Sequence, residues 1–274
     1  MSNLLLEIRA SLFDTSLAFV VLAALFVPLE RSFAARRQSH VRPDVGVDLA
    51  FFAFQNLLML SMLLSFNSWL QAVVGPLAPR VLTRALDALP FFLQVAIAVF
   101  VGDVLLYWGH RACHRFPILW RFHAVHHSAK TIDWIAAHRE HPLDGLFSQL
   151  CLNLPAFFLG VGIHAVVPLF VLRGVFATFV HSNVRMPLGP IGFLLGDPVL
   201  HRWHHAKVDR CEHNFANVAP YLDVLFGTHH RPADESFALG LRDPFPSGFA
   251  ELIVLPFFPA RDVPARTAPQ REAT

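Results

Sequence analysis

The chain has 274 residues, of which 54% are hydrophobic and 15% charged, and its mean hydropathy is +0.47. Soluble domains carry about 25% charged residues, so the composition argues against an ordinary soluble enzyme and for membrane segments. A formal net charge of +2 gives no support to a nucleic-acid or strongly acidic partner, and three scattered cysteines, Cys113, Cys151 and Cys211, suggest neither a disulfide scaffold nor a cysteine zinc site.

Four stretches are apolar enough to cross a bilayer, which takes about 20 residues. They cover 12–30, 47–66, 90–108 and 146–180. Glu7 offsets Arg9 ahead of the first, and no clear small-residue site closes its apolar core, so it is expected to be a span and not a secretory leader. The last is too long for one crossing and carries Pro155, Gly160, Gly162 and Pro168, which predicts a helical hairpin or a re-entrant pair. The loop after the first span holds Arg31, Arg36, Arg37 and Arg42 against Glu30 and Asp44, and the positive-inside rule places it in the cytoplasm. Arg80 and Arg84 in the next loop pull the other way. With that orientation the chain returns to the cytoplasm near residue 109 and again near 181.

The expected fold class is therefore all-α, a polytopic membrane helical bundle of about four to five spans or re-entrant helices with a cytoplasmic histidine-rich helical cap. Residues 1–100 are expected to hold the N-terminal transmembrane spans, 101–245 a catalytic histidine-box domain that includes the hairpin, and 246–274 an interfacial segment followed by a tail, disordered from about residue 259.

Histidine is a compositional outlier, at 16 residues. Three strings concentrate it: "HRACH" at 110–114, "HAVHH" at 123–127 and "HRWHH" at 201–205. Residues three and four apart share a helix face, so each string, if helical, aims two or three imidazoles at one spot. Neutral imidazole is the commonest protein metal ligand. Eight of them, His110, His114, His123, His126, His127, His201, His204 and His205, exceed the ligands of one tetrahedral ion and favour a dinuclear site. Asp103 and Tyr107 continue the His110–His114 stripe back into an apolar helix; Asp103 is expected to orient an imidazole, the alternative being an interhelical hydrogen bond.

Among the other histidines, His181 directly follows the hairpin and His141 stands before Pro142; both are expected as ligands, His141 from a loop. His138 is a weaker candidate, His40 is assigned to the surface, His164 to packing or a hydrogen bond, and His213, His229 and His230 either stand behind the ligands or stay unassigned. Trp108, Trp120, Trp134 and Trp203 flank the strings, as interfacial anchors do.

The ordered set "DVLLYWGHRACH", "HAVHHS", "DWIAAHREHPLD", "HSNVRMPLGP", "HRWHH" and "NFANVAPYLDVLFGT" resembles the fatty acid hydroxylase and sterol desaturase superfamily, from about Asp103 to Thr228. The resemblance implies an integral-membrane, non-haem di-iron enzyme that uses O2 and two external electrons to hydroxylate or desaturate a lipid. It implies two iron ions as cofactor, held by the eight string histidines with His141 and His181. Asp103, Tyr107, Asp144 and Asn183 are expected around them. The partners implied are a lipid substrate and a separate electron donor, a ferredoxin or b-type cytochrome with its reductase, since no haem-binding module is fused to the chain. The first box ends "HRACHR", where some sterol desaturases have a second adjacent histidine, so the ligand count there stays open.

Two other readings compete. A zinc-dependent membrane hydrolase would need a carboxylate base between histidines, as in H-E-x-x-H, and "HREH" has the wrong spacing. A non-enzymatic metal carrier would thread ionisable groups through several spans, whereas here only Asp103, His164 and Arg173 lie deep. The residues choose neither the lipid nor hydroxylation over desaturation.

Overall fold

Backbone polar groups in lipid must be satisfied within their own segment, so apolar runs of this length become helices. In the computed structural model, which describes residues 2–39, 41–207, 212–242 and 244–258 (without the side chains of 2–8 and 170), all regular structure is helical. Two isolated antiparallel bridges, Ala34 with Val184 and Ala206 with Leu239, are the β-type pairings among these residues. His40 and the tail from residue 259, expected as surface and disordered, lie outside the described residues.

Four segments are long and apolar enough to cross a membrane: Arg9–Ser32, Val45–Leu77, Phe91–Arg115 and Ile163–His181. The first lies in α1 (Ser2–Ser32). The second comprises α2 (Val45–Phe54), a π-helical turn (Gln55–Met59) and α3 (Leu60–Val74). A short α4 (Arg80–Asp87) leads to α5 (Phe91–Arg115), which is followed by α6 (Pro117–His127). The expected hairpin resolves into α7 (Pro142–Phe158) and α8 (Ile163–His181), broken where Gly160 takes a positive φ of 84°. At 17 residues α7 is only about 26 Å long, short of a full crossing, and it packs inside the bundle against α5 and α3. His164 therefore opens α8 at the far end of the hairpin, where its side chain is exposed, and is not packed in mid-hairpin as expected. Four short helices complete the chain: α9 (Gly189–Leu195), α10 (Pro198–His204), α11 (Tyr221–Leu225) and α12 (Phe249–Val254).

Two features fix the histidine-bearing ends. The first is close helix approach. A Cβ on Gly102 would lie 2.5 Å from the Leu152 carbonyl oxygen, and one on Gly109 2.7 Å from Cys151 Sγ, so these two glycines let α5 sit directly on α7. The second is proline. The residue before proline is driven out of the helical region, and Phe116, His141 and Asp197 are all extended before Pro117, Pro142 and Pro198. Each X-Pro step starts a new helix at the same level of the bundle.

That level is tied down by buried charge. Glu30, at the end of α1, accepts hydrogen bonds from the backbone N–H of Trp134 and Asn183 at 2.8 and 2.9 Å. Asp48, in the first turn of α2, holds Arg139 at 2.6 Å and Arg42 at 2.6 Å, and Arg42 also holds Asp133 at 2.8 Å. Arg42, counted in the sequence among the basic charges of the loop, is consumed in this network. The tryptophans also depart from expectation. Trp134 is buried against Phe19 and Trp120 lies on His114 and His127, because both face inward from the loop and helix that carry them; Trp203 stacks on His230, and of the four Trp108 alone stays largely exposed.

Candidate metal centre

Nine imidazoles meet at this level in two groups. One comprises His110, His114, His123, His127 and His204, the other His126, His181, His201 and His205, and within each group one nitrogen per ring lies within 4.8 Å of all the others. His110 and His114 come from the last turns of α5, His123, His126 and His127 from the end of α6, His181 from the end of α8, and His201 and His204 from α10, with His205 as its cap. The two H-x-x-H-H strings contribute crosswise. His123 and His127 serve the first group and His126 the second; His201 and His205 serve the second and His204 the first.

Tautomers decide what the groups can bind. His110 Nδ1 lies 2.6 Å from the Phe215 carbonyl, His126 Nδ1 3.1 Å from that of Arg139, His181 Nδ1 2.6 Å from that of Ala177, and His204 Nδ1 2.7 Å from that of His213. His123 Nδ1 lies 2.8 Å from Asp144 Oδ2. A nitrogen facing a carbonyl or carboxylate carries the proton, so Nε2 of these five rings is a bare lone pair. Yet Nε2 atoms face one another: His110 to His123 at 3.0 Å, His110 to His204 at 3.0 Å, and His126 to His181 at 3.0 Å. No proton remains to bridge these pairs. A shared cation satisfies them, and two nitrogens at right angles around an ion at about 2.1 Å stand about 3.0 Å apart. The donor set thus fits metal.

Burial, reinforced by the neighbouring imidazoles, holds His126, His127, His201, His204 and His205 well below the ordinary imidazole range, so they are neutral at physiological pH. An all-imidazole, buried, neutral set suits a transition metal rather than calcium or magnesium, which take oxygen ligands.

The orienting groups differ in part from the sequence expectation. Asp144 contacts His123 at 2.8 Å. Asp103 does not touch an imidazole; it pairs with Arg173 at 2.6 Å, because its position on α5 faces α8 two turns away from His110. Tyr107 bonds Thr228 at 2.7 Å, and Asn183 bonds the backbone of Arg36. His141 is not brought to the cluster. Its extended conformation before Pro142 makes it the cap of α7, with Nδ1 accepting from the Leu143 N–H at 3.1 Å and Nε2 donating to the Ile253 carbonyl at 3.0 Å, so neither nitrogen is free. His138 lies apart as well, bonded to Gln55 at 2.6 Å.

Sequence reasoning missed the loop that supplies two of the carbonyls. Asn214 adopts a positive φ of 58° between His213 and Phe215, and its side chain is bonded to the Leu200 carbonyl and to the backbone of His230. Asp223 accepts from the N–H of Phe215 and Ala216 and from Thr228, which completes the line from Tyr107 to the carbonyl that holds His110. The visible signal was an asparagine, the residue most tolerant of that backbone region after glycine.

A cavity of about 240 Å³ opens from the histidines, with His110, His123, His126, His181 and His201 in its lining, and runs between α3, α5, α7 and α8. Along α5 its lining reaches from His110 down to Ala98, about 18 Å at 1.5 Å per residue. Leu63, Val99, Leu152, Val166 and Leu169 make much of that length apolar.

Fold and site together define a polytopic membrane protein with paired, buried histidine groups able to hold metal. Residues 95–228, just under half of the chain, match the fatty acid hydroxylase family model, so this segment is similar to that family. It is 34% identical over 177 residues to the ornithine lipid hydroxylase OlsE of Rhizobium tropici, covering 62% of this chain and 52% of that protein. It is 32% identical over 149 residues to the alkylglycerol monooxygenase of Homo sapiens, covering 54% and 33% respectively. It is 30% identical over 137 residues to the very-long-chain aldehyde decarbonylase GL1-11 of Oryza sativa subsp. japonica, covering 49% and 52%. The chain thus spans between about a third and just over half of these relatives' lengths. No solved structure matches.

Proposed function

We propose that the protein is an O2-dependent membrane lipid hydroxylase built on a histidine-held pair of iron ions. The observation that carries this reading is the opposition of Nε2 lone pairs about 3.0 Å apart in both groups, at the head of an apolar cavity. The first ion would be held by His110, His114, His123, His127 and His204, the second by His126, His181, His201 and His205.

Unactivated C–H bonds need an oxidant that side chains do not provide. Iron in this site would supply O2 reduction, so that O2, two electrons and two protons become one substrate hydroxyl and one water. The chain's own residues do the rest. Asp144 and the four carbonyls fix the imidazole tautomers. The apolar cavity excludes water and sets one carbon of a bound chain against the histidines. The electrons would come from a separate ferredoxin or b-type cytochrome. The basic loop 31–42 shares the histidine end of the bundle through the Ala34–Val184 bridge, which supports a cytoplasmic site. The relatives' printed names, an ornithine lipid hydroxylase and an alkylglycerol monooxygenase, support a polar membrane lipid as substrate and hydroxylation as the reaction.

The test is metal analysis of protein purified without oxygen, followed by O2 consumption with a chemical reductant and a membrane lipid extract. Two irons per chain and reductant-dependent oxygen insertion are expected. Zinc at stoichiometry with hydrolysis and no O2 requirement would replace this reading by a hydrolase.

A further inference from the structure

The walls of the cavity close against one another on most sides. Between α5 and α7, Gly102 and Gly109 let the helices touch. Between α3 and α7, Asn153 donates to Asn67 at 2.7 Å, and between α5 and α8, Arg173 donates to Asp103 at 2.6 Å. At the far end Ala98, Ala156, Val161 and Val166 belong to one buried apolar cluster. At the near end His123, His181 and His201 line the cavity and are themselves buried.

The junction between α3 and α8 is different. It is tied at both ends. Near the histidines the turn Ala136–His138 packs on α8, and its His138 bonds Gln55 at 2.6 Å; at the other end the Ile163 N–H donates to Gln71 at 2.9 Å. Between these ties α8 presents Gly174, which lines the cavity and is yet exposed. Val171 and Val167, one and two turns earlier on the same face, are exposed and take no part in the lining, so the exposure continues onto the outer surface. On α3, Leu63 lines the cavity while Met62 beside it is exposed. A Cβ on Gly174 would meet no atom within 4 Å, so no wall stands within van der Waals reach at that point. Gly174 lies about 10 Å from His181 along α8, inside a segment long and apolar enough to cross a membrane. What meets the gap from outside is therefore lipid chain and not water.

We propose that the gap at Gly174 is a lateral entrance, through which the hydrocarbon chain of a bilayer lipid passes between α3 and α8 into the cavity. This rests on the hydroxylase reading only in taking the admitted lipid to be the substrate. The missing side chain sets what enters: at Gly174 the opening admits a flexible alkyl chain, and a large side chain there would stand in its path. The two ties hold the helices at a fixed spacing above and below the gap, so the entrance is built into the bundle. Leu63, Val166 and Leu169 then receive the chain inside.

The test follows a phospholipid whose acyl chain ends in a photoreactive diazirine. The full chain, as purified and kept anaerobic so that no turnover occurs, is mixed with micelles that carry the probe. The mixture is irradiated after increasing delays, and the crosslinked residues are read by mass spectrometry. In the wild type, crosslinks to the lining residues Leu152, Val166 and Leu169 are expected to build up with the delay. Gly174→Trp is expected to slow that build-up by about tenfold or more, with metal content and melting temperature unchanged. Gly174→Leu carries the same test with less bulk and is expected to slow it to a smaller degree. Leu172→Trp adds the larger side chain on the opposite, exposed face of α8 and is expected to leave the rate unchanged. Interior crosslinks that form as fast in both Gly174 variants as in the wild type overturn the proposal. Equal slowing by Leu172→Trp, or no interior crosslinks in the wild type, overturns it as well. If entry is slowed as expected but the protein shows no O2-dependent reaction on lipid, the hydroxylase reading fails and the entrance stands.

Discussion

The rings of His127 and His205 stack with centroids 4.3 Å apart and planes inclined by 23°. They are the last histidines of the two H-x-x-H-H strings, and they belong to different groups. The stack is the seam where the two halves of the centre meet. Each half takes the first and last histidine of one string and the middle histidine of the other, so neither string belongs to one group alone.

The seam predicts how metal is lost. His126→Ala and His204→Ala each remove one imidazole from one group. Each is expected to lower iron from two per chain toward one and to reduce turnover by about a hundredfold or more, comparable with or beyond the loss from outer-sphere changes. Iron analysis beside a lipid hydroxylation assay checks this. Full iron and full turnover in His204→Ala, in protein that inserts normally, would remove that residue from the centre.

Asp144 predicts a milder loss. Asp144→Asn keeps the shape beside His123 Nδ1 but removes the charge 2.8 Å away. Metal affinity is expected to fall by about 10- to 100-fold, measured by competition with a chelator. Unchanged affinity would make Asp144 a packing residue.

Acid should destabilise the metal-free fold. His126, His127, His201, His204 and His205 have folded pKa values depressed by burial. In the unfolded chain they titrate near about 6.5. Below that value the unfolded state binds more protons, so stability present above it is lost as pH falls. The melting temperature of the metal-free protein is expected to drop steadily from pH 7 to pH 5. A flat profile over that range would show that these imidazoles are not buried as described.

Helix approach gives a prediction away from the site. Gly102→Ala puts a methyl 2.5 Å from the Leu152 carbonyl oxygen, a backbone atom that cannot rotate away. The α5–α7 pair must separate, at a cost of about 1–3 kcal/mol. Thermal unfolding should show the loss, whereas Gly174→Ala, with nothing within 4 Å of its Cβ position, should be neutral.

Much of the centre was legible because helical spacing is local. Eight ligand candidates followed from three strings, and His181 from its place directly after the hairpin. What sequence could not supply was direction across the bundle. Asp103 sits on the same stripe as His110, but its partner is Arg173, 70 residues away on another helix. His141 and His181 each border a helix, yet Pro142 turns the first into a cap while the last turn of α8 delivers the second to the cluster. The carbonyls of Ala177, His213, Phe215 and Arg139 carry no side-chain signature at all, since any residue has a carbonyl and only the fold aims it.

Arg139 shows how far the site extends. Its carbonyl holds His126 in the correct tautomer, while its guanidinium is anchored by Asp48 in the first turn of α2. Asp48 lies well outside residues 95–228, the part that matches the family model, as do Arg42 and Glu30. The first two spans are thus not a detachable anchor but a structural member of the histidine-bearing half. A graft of the histidine-bearing segment alone onto foreign membrane helices would leave Arg139 without its counter-ion and His126 free to turn. The portable unit of this protein is longer than its motif.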